Sequence, residues 1–418
     1  MDNVHQRTRK CKRKIVVMKR EDYEGRELSS RVELIQQLIP LGLMKVEEEL
    51  SQEVERLAGG RYTRMGYDRH GFNPGSVALG GQRLGIRVPR VRDLERDIEI
   101  PLSVYQRLHE GTPMEESALK RVLRGVANRD YREVALAVPE AFGLSSSNVS
   151  RQFIRASRRK LTQLMERDLS KEDFVVVFLD GKSFAEDQLI TALGVTMKGE
   201  KVILGFIEAK TENRAVVEDF LKRLLERGFH IEEGVLVVVD GSKAFTNAVK
   251  NVFAKKVLIQ RCQWHKRENV VSYVSKKEQP ELRRKLQKAY ERPTYEEAKN
   301  ELTKIRKELE PKNLSAVASL EEGLEETLTL HRLGVFGVLG QSLKTTNCME
   351  SVHAQVEQRC GRVDYWQNSS QRQRWLAAVL LEIEPRLKKI KGYRYLPMLR
   401  SAIKRELGLD SIQLKEAA

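Results

Sequence analysis

The chain has 418 residues, with 75 Lys and Arg against 59 Asp and Glu, a formal net charge of +16 and an apolar fraction of 40%. This length accommodates two or three domains with sizeable cores, and a basic surplus of this size implies a polyanionic partner, either nucleic acid or an acidic membrane surface. The membrane reading is disfavoured, because no run approaches the roughly 18 apolar residues that span a bilayer and no apolar stretch follows the basic N-terminal residues as in a signal peptide. Four cysteines, at 11, 262, 348 and 360, make no disulfide scaffold, so a reducing, cytoplasmic setting is expected.

Residues 1–20 carry eight Lys and Arg and one acid, a basic arm suited to phosphate contact or to solvent. Leu34, Leu38, Leu41, Val46 and Leu50 recur at helical spacing within 27–58, so 1–60 reads as basic arm and helices. Residues 61–112 are rich in Gly and Arg and read as a small β-hairpin unit, either a clamp on a DNA backbone or a plain surface hairpin. Residues 113–170 return to helix, and Tyr131 to Lys160 has the pattern of a helix-turn-helix. Gly143 and Leu144 supply the turn, and Ser145, Ser146 and Ser147 offer caps. The second helix is expected to turn Val149, Phe153 and Ile154 inward and Asn148, Arg151, Arg155, Arg158, Arg159 and Lys160 outward. Polar groups for base edges and basic groups for phosphates are what a recognition helix needs, although a generic basic helical hairpin has the same pattern.

From 172 the pattern changes to strands. Phe174–Leu179, Leu189–Met197 and Val202–Ala209 are apolar β-type runs, followed by helix over Asn213–Gly228, strand Val235–Val239, helix Ser242–Phe253 and strand Lys256–Gln260. Three strands followed by alternating helices and strands predict a mixed five-stranded sheet with flanking helices, in the α/β class. Charged helical sequence then intervenes over 269–340, broken near Pro293 and Pro311. The sheet domain is expected to comprise 171–268 and 341–400, leaving 401–418 as a C-terminal tail.

Among 59 acidic residues, position selects the candidates. Asp180 and Asp240 each close an uninterrupted apolar strand and each precede a Gly. A bare carboxylate at the end of a dry strand is unfavourable unless paired or bound to a cation, so two in adjacent core strands suggest a shared metal; the bland reading of either one is a turn-forming Asp-Gly. The third ligand should come from a helix packed on those strands. Glu350 in Thr345-Thr-Asn-Cys-Met-Glu-Ser fits, with Thr346 or Asn347 as cap and the carboxylate in the first turn. Glu186, Asp187, Glu208, Glu212 and Asp219 read as solvated. Few, hard oxygen ligands suit Mg²⁺ or Mn²⁺, and two such ions in one site activate the attacking oxygen and stabilise the leaving one in phosphodiester displacement.

Cys262 and His265 form a Cys-x-x-His at the end of the fifth strand. Zinc would need two further ligands from Cys348, His353 and Cys360, and no tight second pair supports this. A buried Cys and an active-site His265 that meets the scissile phosphate is the alternative. Trp264, Trp366 and Trp375 read as core packing, with stacking on an unpaired base as the other use.

Leu179-Asp180-Gly181, Val239-Asp240-Gly241, Arg261-Cys262-x-x-His265 with Asn269, and Thr345-Thr346-Asn347-x-x-Glu350-Ser351, in this order, resemble the Mutator-like transposases of bacterial insertion sequences over about residues 60–400. The resemblance implies a ribonuclease H-like catalytic domain interrupted by a helical insertion and preceded by a mainly helical DNA-binding region. It implies that Asp180, Asp240 and Glu350 are the catalytic, metal-binding triad. The expected function is binding of terminal inverted repeats, metal-dependent strand cleavage and strand transfer. The expected partners are double-stranded DNA, both transposon ends and target, and further copies of the chain in a dimer or larger assembly at the nucleoid. Two positions depart from the family pattern: Glu268 stands where Arg is common, and His353 where Asn is usual. The competing readings are a domesticated, non-catalytic DNA-binding regulator and a nuclease that cuts without joining. The complete triad favours the enzyme over the first, and the helix-turn-helix favours end recognition over the second.

Overall fold

In the computed structural model the described residues are 41–60, 66–79, 82–109, 119–120, 122–124, 146–211, 213–361, 363 and 365–409. The basic arm, the helical pattern before Leu41, and the first helix and turn of the helix-turn-helix lie outside them. Contacts divide the chain into two units, with the division along the sequence between Phe153 and Ile154.

In the first unit, Val46, Leu50, Val54 and Ala58 recur every four residues along helix α1 (Leu41–Ala58) and form one buried stripe. The stripe belongs to a core with Val77, Leu84, Ile86 and Val88 of an antiparallel ribbon, β1 (Tyr67–Leu79) and β2 (Gln82–Asp93). The ribbon register shifts between Arg69 and Phe72, where Gly71 holds φ at 80°. The extra residue lies in β1, opposite the stretch where the buried positions of β2 pass from 84, 86 and 88 to 91. A short β3 (Glu99–Ile100) pairs with β2, and α2 (Ser103–His109) follows. Glu53 of α1 is buried and accepts from Ser103 N at 2.8 Å and Val104 N at 3.1 Å. Its carboxylate thereby meets the open N–H groups of α2, where an anion is favoured.

Helix α3 (Ser146–Met165) spans the boundary between the units. Its buried stripe is Val149, Phe153, Ala156 and Leu164, and Ile154 is exposed rather than inward. At about 100° per residue Ile154 lies well round the helix from Val149, so the expectation for it fails on helical geometry.

The second unit is built on a five-stranded mixed sheet in the order β6-β5-β4-β7-β8. Its strands are β4 (Phe174–Phe184), β5 (Asp187–Thr196), β6 (Lys201–Ala209), β7 (Val235–Val239) and β8 (Val257–Arg261). The first three pair antiparallel, and β4, β7 and β8 pair parallel. Every residue of Phe174–Leu179 and Val235–Val239 is buried, as central strands covered on both faces must be. Odd-numbered residues of β4 and β7, such as Val177, Leu179, Val237 and Val239, share a core with Val217, Phe220, Phe245 and Val249 of α4 (Arg214–Glu226) and α5 (Lys243–Phe253). Strand alternation sends Phe178, Val238 and Asp180 to the opposite face.

Between β8 and the last helices lies a helical segment with its own core. It contains α6 (Gln263–Ser272), α7 (Gln279–Tyr290), α8 (Tyr295–Leu309), α9 (Leu314–Glu321), α10 (Leu324–Thr327), α11 (Thr329–Arg332) and α12 (Phe336–Leu343). The breaks after α7 and α8 contain Pro293 and Pro311, and Thr294 and Asn313 cap the helices that follow. Helices α13 (Asn347–Cys360), α14 (Ser369–Ile383) and α15 (Leu396–Glu406) return to the sheet, against β4, β6 and β4/β7 respectively.

The C-terminal tail therefore does not begin at 401. Leu399, Ala402 and Ile403 of α15 are buried, and Arg400 donates to Gly234 O at 2.8 Å and Phe174 O at 2.9 Å. Arg400→Leu should leave both carbonyls unpaired and lower stability by about 2–3 kcal/mol, read as a shift in denaturant midpoint at constant slope.

Candidate active site

Leu179 of β4 lies opposite Val239 of β7 in the parallel register. The next residues are Asp180 and Asp240, which places the two carboxylates side by side at the same end of adjacent central strands. Asp240 follows its strand, and its Oδ1 accepts from Ser242 N at 2.9 Å. Gly241 holds φ at 111°, and a Cβ there would stand 2.3 Å from Arg261 Nε, so glycine is required for the chain to turn here. Asp180 differs from the expectation. It does not end its strand, because β4 runs on to Phe184 paired with β5, with Asp180 opposite Thr191 and Gly181 opposite Ile190. Only the parallel pairing with β7 stops at Leu179, so Asp180 is the first position of β4 without a neighbour on that side.

Glu350 lies in the first turn of α13 and is exposed. Thr346 occupies the N-cap position but makes no side-chain cap bond. Its hydroxyl instead meets Cys262 Sγ at 3.7 Å and His265 Nδ1 at 3.4 Å. The start of α13 is thus tied to the turn between β8 and α6. One turn after Glu350, His353 is 4% exposed and its Nδ1 stands 3.4 Å from Asp180 Oδ2. Residues three apart share a helix face, so Glu350 and His353 both look toward the end of β4.

The electrostatics agree with this convergence. Burial pushes the Asp180 carboxyl up to about 7, and the charges of Asp240 and Glu350 add to the shift while His265 opposes it. A hydrogen bond to Cys262 raises His265 to about 9 against the effect of burial, with Cys262, Asp240 and Asp180 contributing charge. Burial pushes the Cys262 thiol up, but its contacts with His265 outweigh this and hold it below the ordinary thiol value. Burial lowers His353 to about 4, so it is neutral at neutral pH. Among the described residues, no group of three or more His, Cys, Asp and Glu side chains forms a ready-made metal cage. This holds for the zinc set weighed from the sequence and for the three carboxylates alike.

The other candidates divide between those that fall as expected and those that do not. Asp187 and Glu208 are not solvated: Arg372 of α14 reaches Asp187 at 2.5 Å and Glu208 at 3.3 Å, and Ser369 donates to Glu208 at 2.7 Å. Asp219 is exposed in a pair with Arg223, Glu186 is exposed, and Glu212 lies outside the described residues. Glu268 is held by Arg267 at 2.9 Å and Arg283 at 2.8 Å. On α3, Arg151, Arg155, Arg158 and Arg159 are exposed and Asn148 is half-buried. Lys160 is also half-buried, because it falls on the side of the apolar stripe rather than outward. Trp264 is 42% exposed and Trp366 and Trp375 are half-buried, so none is a plain core residue. The sequence reading missed the contact of His353 with Asp180; its spacing of three from Glu350 was the available signal.

A family profile described as "Transposase, Mutator family" matches residues 12–389. The chain belongs to the Mutator family of transposases. Similar proteins include the transposase for insertion sequence element IS256 in transposon Tn4001 of Staphylococcus aureus, 27% identical over 80% of this chain and 84% of that protein. The transposase for insertion sequence element IS905 of Lactococcus lactis subsp. lactis is 24% identical over 75% and 81%. The transposase for insertion sequence element ISRM5 of Rhizobium meliloti is 26% identical over 86% and 92%. No described helix of this transposase is long and apolar enough to cross a membrane.

Proposed function

We propose that this transposase binds the terminal inverted repeats of its own insertion sequence, cleaves the strand ends and joins them to target DNA at Asp180, Asp240 and Glu350. The observation that carries the reading is the register of Leu179 with Val239, which sets the two aspartates side by side on the sheet face where α13 brings Glu350. A sheet of three antiparallel strands followed by two parallel ones, interrupted by a helical segment before α13, supports a ribonuclease H-like catalytic domain.

The donors fit a divalent cation. All three are hard oxygens, Mg²⁺ takes few protein ligands and keeps several waters, and burial together with the charges of Asp240 and Glu350 raises Asp180 despite the opposing charge of His265, a balance that a bound cation would relieve. One or two such ions, when bound, would activate the attacking oxygen and stabilise the leaving one. The protein supplies the rest. Asp180 and Asp240 are fixed by the sheet, and Glu350 reaches from an exposed first turn. His353 holds Asp180 from behind as a neutral imidazole, while cationic His265 stands where a phosphate oxygen would be attracted. Strand transfer with a DNA 3′-hydroxyl uses the same site and needs no covalent enzyme intermediate. Because each DNA end needs one site, a dimer or larger assembly on DNA follows.

The test is cleavage of a labelled duplex carrying the element's end, with Mg²⁺ or Mn²⁺, by the wild type and by Glu350→Gln. Nicking at the end that disappears in the variant is expected; tight end binding without nicking by either protein would instead indicate a DNA-binding regulator.

The exposed arginines of α3 are proposed to contact phosphates. Arg151→Ala and Arg155→Ala should each reduce the slope of log K against log salt by about 0.9, roughly one phosphate contact. An unchanged slope in both would remove α3 from the DNA interface.

A further inference from the structure

Beside the carboxylates lies a cavity of about 180 Å³ that the reaction described above does not use. Lys182, Ser183 and Phe184 form one wall, His353 and Glu357 of α13 another, and Trp366 closes it. The Phe184 and Trp366 rings stand 5.5 Å apart, and Trp375 meets Trp366 edge-on at 6.0 Å. Lys182 and Glu357 pair at 2.5 Å, with the lysine side chain 41% exposed and the glutamate 69%. His353 belongs to the cavity and to the carboxylate cluster together: its Nδ1 faces Asp180, and its buried Nε2 has no hydrogen-bond partner. The turn after Phe184 holds Ala185 at φ 52°, a conformation that glycine adopts more readily and that persists where surrounding structure enforces it.

We propose that this cavity receives an unpaired nucleobase of the DNA strand, next to the phosphodiester held at Asp180, Asp240 and Glu350. The inference rests on the reading of those carboxylates as the active site. Its chemistry is that of a base: aromatic rings for the π-face, one buried unsatisfied imidazole nitrogen for a polar edge, and a lysine at the mouth for the adjoining phosphate. Its position follows from the strand. Lys182 and Phe184 are two and four residues beyond Asp180, roughly 7 and 13 Å along an extended chain, within reach of nucleotides that flank a phosphate at the carboxylates. A base inside a stacked duplex cannot present its faces to the rings, so the occupant must have left the helix.

The experiment uses the full-length protein and duplexes carrying the element's end. Thymines are placed in turn opposite each base flanking the cleavage site, and their permanganate oxidation is measured in complexes with Glu350→Gln, where strands stay intact. One thymine is expected to become reactive on binding, because its partner has left the stack. Trp366→Ala, in the otherwise wild-type protein, should cleave the paired end roughly tenfold more slowly, as expected for one lost stacking contact. A mismatch or abasic site at that same position should restore most of the rate, and Trp366→Phe should keep most of it on paired DNA. Uniform protection of all thymines would overturn the proposal, and so would a Trp366→Ala defect equal on paired and mismatched ends. Normal nicking by Glu350→Gln would instead overturn the active-site reading beneath it, so the two failures are distinct.

Discussion

Asp180→Asn is expected to abolish strand cleavage and, in the same protein, to raise the stability of the metal-free fold. The loss of cleavage follows from the loss of a charged oxygen donor; a cation contributes several kcal/mol to such a transition state, so a fall of about a thousandfold or more is expected. The gain in stability follows from the position of Asp180, which is 5% exposed beside two other carboxylates. Its carboxyl rises from 3.8 to about 7 on folding, so the folded chain holds this proton more tightly than the unfolded one. Its contribution to stability is therefore greatest below pH 3.8, falls as pH climbs toward 7, and is level above that. The difference of about three units sets an upper bound of about 4 kcal/mol on what Asn can recover at pH 8, with no gain near pH 4. Mg²⁺ should narrow the gap by stabilising the wild type, more at pH 8 than at pH 6, because the carboxylate must be deprotonated to bind. Thermal melts across this range, with and without Mg²⁺, provide the check. An Asn variant that still cleaves would remove Asp180 from the metal-binding role, and one that is less stable at pH 8 would show that burying this charge does not cost the fold.

Gly241→Ala is expected to damage both the fold of the second unit and the site. The added methyl would meet Arg261 at 2.3 Å from Nε and 2.7 Å from Cζ, and the backbone φ of 111° is strained for any L side chain. Arg261 cannot yield easily: it is 6% exposed and donates to Glu322 O at 3.0 Å. The two effects together should lower stability by about 2–4 kcal/mol, measured by urea unfolding. Asp240 precedes this turn, so cleavage should fall further than stability alone accounts for. A variant with wild-type midpoint and rate would show that the turn relaxes without moving Arg261.

Much of the candidate site is legible in the sequence because its supports are local. The runs Phe174–Leu179 and Val235–Val239 are too apolar and too short to be anything but buried strands, and the Asp that follows each is conspicuous for that reason. Glu350 is less legible, since a first-turn glutamate is common and only packing of α13 on β4 distinguishes it. The misreadings have the same origin. Asp187 and Glu208 look solvated until α14, more than 150 residues later, brings Arg372 to them. Residues 401–406 look like a tail until Arg400 is seen to hold the carbonyls of Gly234 and Phe174.

By itself the sequence determined the strands and helices of the second unit, the helical segment between β8 and α13, and the pairing of each aspartate with a strand. Periodicity and apolar run length encode these, because they depend on neighbours in the chain. Only the tertiary structure decided that β4 continues past Asp180 along β5, that Thr346 ties α13 to Cys262 and His265, and that His353 stands against Asp180 beside an aromatic cavity. Strand register and the docking of distant helices are set by burial summed over many non-local contacts, which no local pattern records.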